Sequence, residues 1–380
     1  MAENNYASDL DFLNSHTSIV ELDAGNGSRI AVAPQWQGRV MTSTLAGAEG
    51  SSFGWLNKDF IASGQTDKSF NNYGGEDRFW MGPEAGQFAL WFDKGEPFDL
   101  DHWTTPEGFN EGAFAITSQG RSSIAMTRDF TVTNYSGTTF LCAVRRVINA
   151  LNLPHAAETF GMSIPEDVSA VAFESVNTLA NVGQDPWTRQ TGMPSVWILG
   201  QFKPLPNGKV IIPIVPGPED QLGPRATLDY FGPLDEDRGK VTEDTVFFTC
   251  DGEYRSKIGI SPERSKGIIG SYDPDANLLT LVRFTQPDNA ADLPYVNSLW
   301  EIQDEPFSGD AINSYNDGEP EPGAGQLGPF YEIETSSPAA ELGSGEAIGH
   351  THRTCHLSGS FDSLNHISRQ VLGVDLSEIG

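Results

Sequence analysis

Residues 327–357, LGPFYEIETSSPAAELGSGEAIGHTHRTCHL, hold the densest group of side chains able to move protons, in two strand-length stretches flanking a turn at Gly343-Ser344-Gly345. In the first stretch the alternation puts Glu332 and Glu334 on one face and Tyr331, Ile333 and Thr335 on the other. In the second, His350, His352, Thr354 and His356 project from one face of an extended strand, roughly 7 Å between neighbours. Antiparallel pairing of the two stretches would set carboxylates against imidazoles, the combination that general acid–base chemistry uses near neutral pH.

Two further stretches suit polar recognition. In residues 71–92 a Gly74-Gly75 turn introduces Glu76, Asp77 and Arg78 beside Trp80, and a strand is expected over residues 87–92. Arg78 can donate to paired hydroxyls and Trp80 offers a flat apolar face to a sugar ring, although a buried Trp with an ion-paired Arg is the structural alternative. Residues 295–318 gather the amides Asn297, Gln303, Asn313 and Asn316 with Trp300, Asp310 and Asp317. From 306 to 328 the composition is that of a long ordered loop, with a surface cluster of Asx turns as the alternative. Trp187 sits between two expected strands, 171–179 and 195–202, and reads as an exposed aromatic platform. Arg255-Ser256-Lys257 reads as a salt-bridged strand end.

The elements that must position these residues are mainly strands. Forty Gly and 24 Pro leave few uninterrupted windows for a long helix, while runs such as 123–134, 138–150, 200–213 and 277–284 recur between turns. A hairpin of 18–23 and 28–33 through Gly25-Asn26-Gly27, a continuation over 40–45, and short helices at 9–15 and 360–376 complete the reading. The expected fold class is mainly β, a large antiparallel β-sandwich with a few short helices. No repeat or low-complexity boundary divides it, so residues 1–380 are expected to form one domain.

A net charge of −29, from 52 acidic and 23 basic residues, argues against nucleic acid or an anionic membrane as partner and favours a small neutral or cationic ligand. Three widely spaced cysteines make neither a disulfide framework nor a metal knuckle. The sequence given has no leader-like N-terminus and no 18-residue apolar run, so a soluble protein is expected, cytoplasmic or exported after removal of a signal peptide. Oligomeric state is not legible. Hydrolase elbow, phosphate loop, His-Glu-x-x-His and dinucleotide fingerprint are all missing.

The C-terminal region resembles that of aldose 1-epimerases, the galactose mutarotase family, and the layout suggests an uncharacterised bacterial branch. The matching residues are Ile333-Glu334-Thr335, then Leu342-Gly343-Ser344-Gly345-Glu346, then His350 and Thr354; Asn71 to Gly75 resembles the family's early sugar-contacting loop, with Tyr73 in place of its histidine. The family's mid-chain His-x-Tyr-Phe-Asn segment has no counterpart, residues 174–181 keeping only asparagines. The resemblance implies a mutarotase-like supersandwich with Glu334 as general base and His350 at a matched position; the acid of the missing segment would be replaced by His350 or His352, or by Arg78 acting electrostatically. A sugar would be contacted by Arg78, Trp80, Trp187, Asn297, Trp300, Gln303, Asn316, Asp317, Glu332 and His352. The expected ligand is a small carbohydrate, with no cofactor and no metal. The alternatives are a carbohydrate-binding module without catalysis and a metal-dependent sugar isomerase or lyase using His350 and His352.

Overall fold

Apolar residues alternating between closely spaced turns build three antiparallel sheets in the computed structural model, which describes residues 5–379. The largest sheet has ten strands. Its centre is formed by Ile268–Asp273, Leu278–Phe284, Ala347–Ser358, Ser169–Asn181 and Thr139–Leu151, hydrogen-bonded in that order. A five-stranded sheet runs Ser256–Ile260, Ile312–Asn316, Tyr331–Ser336, Ser195–Phe202, Arg78–Gly82. The third sheet is the N-terminal meander Val20–Gly25, Ser28–Ala33 and Arg39–Thr44.

Period-two alternation decides which core each strand of the large sheet serves. Val210, Ile212, Val246, Phe248 and Val282 point to the five-stranded sheet and pack with Ile258, Ile312 and Ile333. Ile211, Phe247, Leu279 and Leu281 point the other way, under the helices Leu153–Phe160 and Phe361–Val371. The fold is a mainly β sandwich with short helices, as its composition implies.

Three local expectations are corrected. The run 200–213 is the end of one strand, Ser195–Phe202, and the whole of another, Lys209–Pro213, with a turn between them in which Gly208 N–H donates to Leu205 O. Residues 87–92 are not a strand: Ala89 N–H donates to Gly86 O and Leu90 N–H to Pro83 O, a coiled path that buries Ala89, Leu90, Trp91 and Phe92 together. Four consecutive buried apolar residues suit a turn wrapped into a core as well as they suit a strand. Conversely, the long loop contains the strand Ile312–Asn316, whose polar side chains hide a segment paired on both sides.

The two stretches read as possible partners do not pair. Tyr331–Ser336 lies in the five-stranded sheet and Ala347–Ser358 in the ten-stranded one, so they meet face to face. Thr335, on the inner face, sits 2.8 Å from His350 Nε2 and 2.9 Å from His352 Nδ1. The acids Glu332 and Glu334 point away from these imidazoles, to the outer face. His356 completes the inner row, 2.9 Å from Glu76 and 2.8 Å from Thr280. Alongside it, Asp77 is buried against Arg146 and accepts from Ser175 at 2.7 Å. The histidine row is thus part of a polar seam between sheets.

The Gly74-Gly75 turn feeds both sides of this arrangement, delivering Glu76 and Asp77 to the seam and Arg78 to the outer face. Gly74 has φ +87°, and a Cβ there would lie 2.1 Å from Trp55 O. Gly74→Ala is therefore expected to cost about 3 kcal/mol or more, from left-handed strain plus a backbone clash. Urea denaturation measures this.

Candidate functional site

The outer face of the five-stranded sheet is built in cross-strand rows, because residues opposed in an antiparallel pair share a face. One row reads Lys257, Tyr315, Glu332, Gln201. The next reads Asn313, Glu334, Leu199, Arg78, and beyond it Trp197 opposes Trp80. Acids therefore alternate with cations on the diagonals: Arg78 Nη2 lies 2.8 Å from Glu332 Oε1, and Lys257 Nζ 3.0 Å from Glu334 Oε2. Both pairs are almost wholly buried. Indole rings cover them: the Arg78 guanidinium stacks 3.9 Å over Trp80, and Lys257 Nζ lies 4.8 Å over Trp197, whose Nε1 also donates to Glu334 Oε2 at 3.0 Å.

Above these rows is a cavity of about 500 Å³. Its floor is Arg78, Trp80, Trp197, Lys257, Tyr315 and Glu332. Glu84, Trp103 and Trp300 form one wall, and the segment from Asp317 to Leu327 with Phe330 forms another. Trp103 Nε1 donates to Glu84 at 2.8 Å, and Asp317 is held by the Tyr315 hydroxyl at 2.7 Å and Gly328 N–H at 2.8 Å. Volume, aromatic lining and a few convergent polar groups are those of a small-molecule site.

Burial governs its electrostatics. It pushes the Glu332 carboxyl up to about 8, with Glu334 adding to the rise and Arg78 opposing it. Burial likewise raises Glu84, against Lys257 and Trp103, and raises Asp317 to about 6. For Lys257, burial pulls downward, but Glu334, Glu84 and Glu332 outweigh it and the ammonium is raised. Four polar atoms around the floor have no partner: Arg78 Nε and Nη1, Trp80 Nε1 and Glu334 Oε1. Buried polar atoms are ordinarily satisfied, so these are the groups with hydrogen-bonding capacity to spare.

Of the residues expected at the site, Arg78, Trp80, Trp300, Asp317 and Glu332 line one cavity. Glu334 lies just behind its wall, screened by Trp197 and Lys257. His350 and His352 are corrected: both rings are buried in the seam on the far side of the sheet, and burial lowers them to about 3 and about 4, so they are neutral. Trp187 is not an exposed platform but packs edge-on against Phe140, 3% exposed. Asn316 faces inward and holds the 251–254 turn through Gly252 N–H and Tyr254 O. Gln303 bonds Asn297 O and Leu299 O, and Asn297 caps Leu299 N–H, so both organise their own loop.

Lys257, Trp197, Glu84 and Trp103 were missed. The strand-end ion pair foreseen at 255–257 is present, but its partner is Glu334. A single lysine inside the apolar alternation of Ser256–Ile260 was the available signal, because two glutamates sharing a buried face require cations. Among the described residues no group of three or more His, Cys, Asp or Glu is placed to hold a metal ion, so the donor set for the metal-dependent alternative is not assembled. Among the described residues no helix is long and apolar enough to cross a membrane.

Comparison with known proteins gives a family and a fold. The model of a family of unknown function, DUF6786, matches residues 4–380. No curated protein matches. A solved structure described as a putative aldose 1-epimerase from Escherichia coli K12 superposes with a TM-score of 0.52 at 11% identity, covering 90% of this chain and 99% of that one. A protein from Synechocystis sp. PCC 6803 gives 0.50 at 12% identity, covering 90% and 96%. A galactose mutarotase-like protein from Lactobacillus casei gives 0.47 at 11% identity, covering 90% and 100%. At such identities the likeness to the first two shows a shared sandwich fold and nothing finer.

Proposed function

The chain belongs to this family of unknown function, DUF6786, and we propose that it binds a carbohydrate in the cavity over the five-stranded sheet. The observation that carries the reading is the Arg78–Glu332 pair set among Trp80, Trp103, Trp197 and Trp300. Carboxylates accept from sugar hydroxyls, guanidinium and ammonium groups donate to them, and indole faces cover the apolar C–H surface of the ring. The fold shared with a putative aldose 1-epimerase supports the same ligand class.

A second reading, epimerisation at the anomeric carbon, is favoured by the two acids on this face of the sheet, one on the floor and one behind it. Glu334 keeps Oε1 unpartnered, while burial raises the carboxyl of Glu332, on the same face, so that it holds a proton more readily than a free carboxyl. One group accepts and the other donates. With Trp197 and Lys257 drawn aside from it, Glu334 would take the proton of the anomeric hydroxyl as Glu332 protonates the ring oxygen and the C1–O5 bond opens; the C1–C2 bond then rotates and the ring recloses on the other carbonyl face, each proton returning. His350 has no part in this, because the sheet separates it from the cavity.

Thermal shift with a panel of free aldoses and their alkyl glycosides tests the binding reading. A sugar should raise the melting temperature with concentration, and Glu332→Gln should weaken its binding by about tenfold or more. No shift with any sugar, or equal shifts in Glu332→Gln, would refute the assignment. Polarimetry decides the second reading: mutarotation no faster than in buffer, or unchanged by Glu334→Gln, removes it and leaves recognition standing.

A further inference from the structure

Resting on the carbohydrate reading of the cavity, we infer that its ligand is a glycoside with an apolar aglycone rather than a free sugar. Among the described residues nine large hydrophobic side chains are exposed. Three of them, Leu100, Phe231 and Leu327, come from remote parts of the chain and line the same cavity at its mouth. They are 50%, 37% and 50% exposed. Single exposed apolar residues are ordinary, but three converging on the opening of one pocket put apolar surface where a ligand's outer part would lie.

The cavity is thus graded. Arg78, Glu332 and Lys257 lie on its floor with the indoles of Trp80 and Trp197; Trp103 and Trp300 stand in one wall; Leu100, Phe231 and Leu327 are the large side chains of a rim that also holds Asp67, Ser69 and Gln326. The rim is built rather than loose, since the Arg255 guanidinium lies 3.8 Å over the Phe231 ring and Asn72 Nδ2 donates to Leu327 O at 2.9 Å. A free hexose, hydroxylated on every side, would fill the polar end and gain nothing from two leucines at the mouth. An amphiphile with a sugar head and an alkyl or aryl tail matches the gradient along its whole length. In such a glycoside the anomeric oxygen carries no proton, so the ligand would be held and not epimerised, in accord with the recognition reading.

Calorimetric titration with paired methyl and octyl β-glucosides and β-galactosides, below the micelle concentration, tests this. For at least one sugar the octyl glycoside should bind about tenfold tighter or more than its methyl partner, because part of the added alkyl chain is buried. In Leu100→Ser/Phe231→Ser/Leu327→Ser, changes confined to exposed positions, that ratio should fall toward one. Equal affinities for methyl and octyl glycosides, or a ratio that survives the triple substitution, would overturn the inference while sugar binding stands. Failure of every glycoside and free sugar to bind, or equally tight binding of a sugarless octyl zwitterion, would overturn both this inference and the carbohydrate reading.

Discussion

Lys257→Met should lose about 3–5 kcal/mol of stability, the cost of leaving a buried carboxylate without its cation. Glu334 is fully buried, and its partners are Lys257 and Trp197; without the ammonium, only the indole N–H remains. The companion variant Lys257→Met/Glu334→Leu should recover most of the loss, because an apolar pair of similar volume exchanges a desolvated ion pair for packing. Chemical denaturation of the four proteins of the cycle gives the coupling directly. A Lys257→Met loss below about 1 kcal/mol would place the pair in a far more solvated setting than its burial implies. The same cycle bears on function, since both residues form or back the cavity floor.

The second large effect is acid lability from the histidine seam. Burial, foremost, holds His350 down to about 3 and His352 down to about 4, against an ordinary value near 6.5 in the unfolded chain. A depressed group contributes stability above its unfolded value and loses it as pH falls toward its folded value, because the unfolded state takes up protons that the native state refuses. Between about pH 6 and 4 the two imidazoles together should cost roughly 2.7 kcal/mol per pH unit. Glu332 works in the opposite sense, its contribution present below the ordinary carboxyl range and lost as pH rises toward about 8. The clean readout is therefore a difference between proteins. Relative to the unsubstituted chain, His350→Gln/His352→Gln should gain stability steadily as pH falls through that window, the carboxyls common to both cancelling. A difference that stays flat with pH would show that the two imidazoles protonate freely in the folded protein.

What the sequence determined by itself was most of what is local or periodic, the coiled path of 87–92 and the strand Ile312–Asn316 excepted. Alternation placed Glu332 and Glu334 on one face and His350, His352 and His356 on another, and both assignments describe the folded strands. Spaced glycines and prolines dictated the β class, and Ser195–Phe202 could be read to the residue. Arg78, Trp80, Trp300 and Asp317 were chosen for their chemistry and share one cavity with Glu332. Which strands lie side by side is a different kind of information, because hydrogen-bonding partners are chosen by closure of the whole sandwich and not by a segment's own pattern. The hairpin-like spacing of the acid and histidine stretches suggested pairing; the chain instead sends them to opposing sheets, where Thr335 meets the imidazoles and the glutamates turn outward. Amides such as Asn316 and Gln303 look identical in sequence whether they greet a ligand or satisfy a turn, and only the tertiary structure shows their bonds already taken. Lys257 is the converse case, a lone cation in an apolar strand whose purpose appears once Glu334 is seen on the diagonal across Tyr315–Glu332.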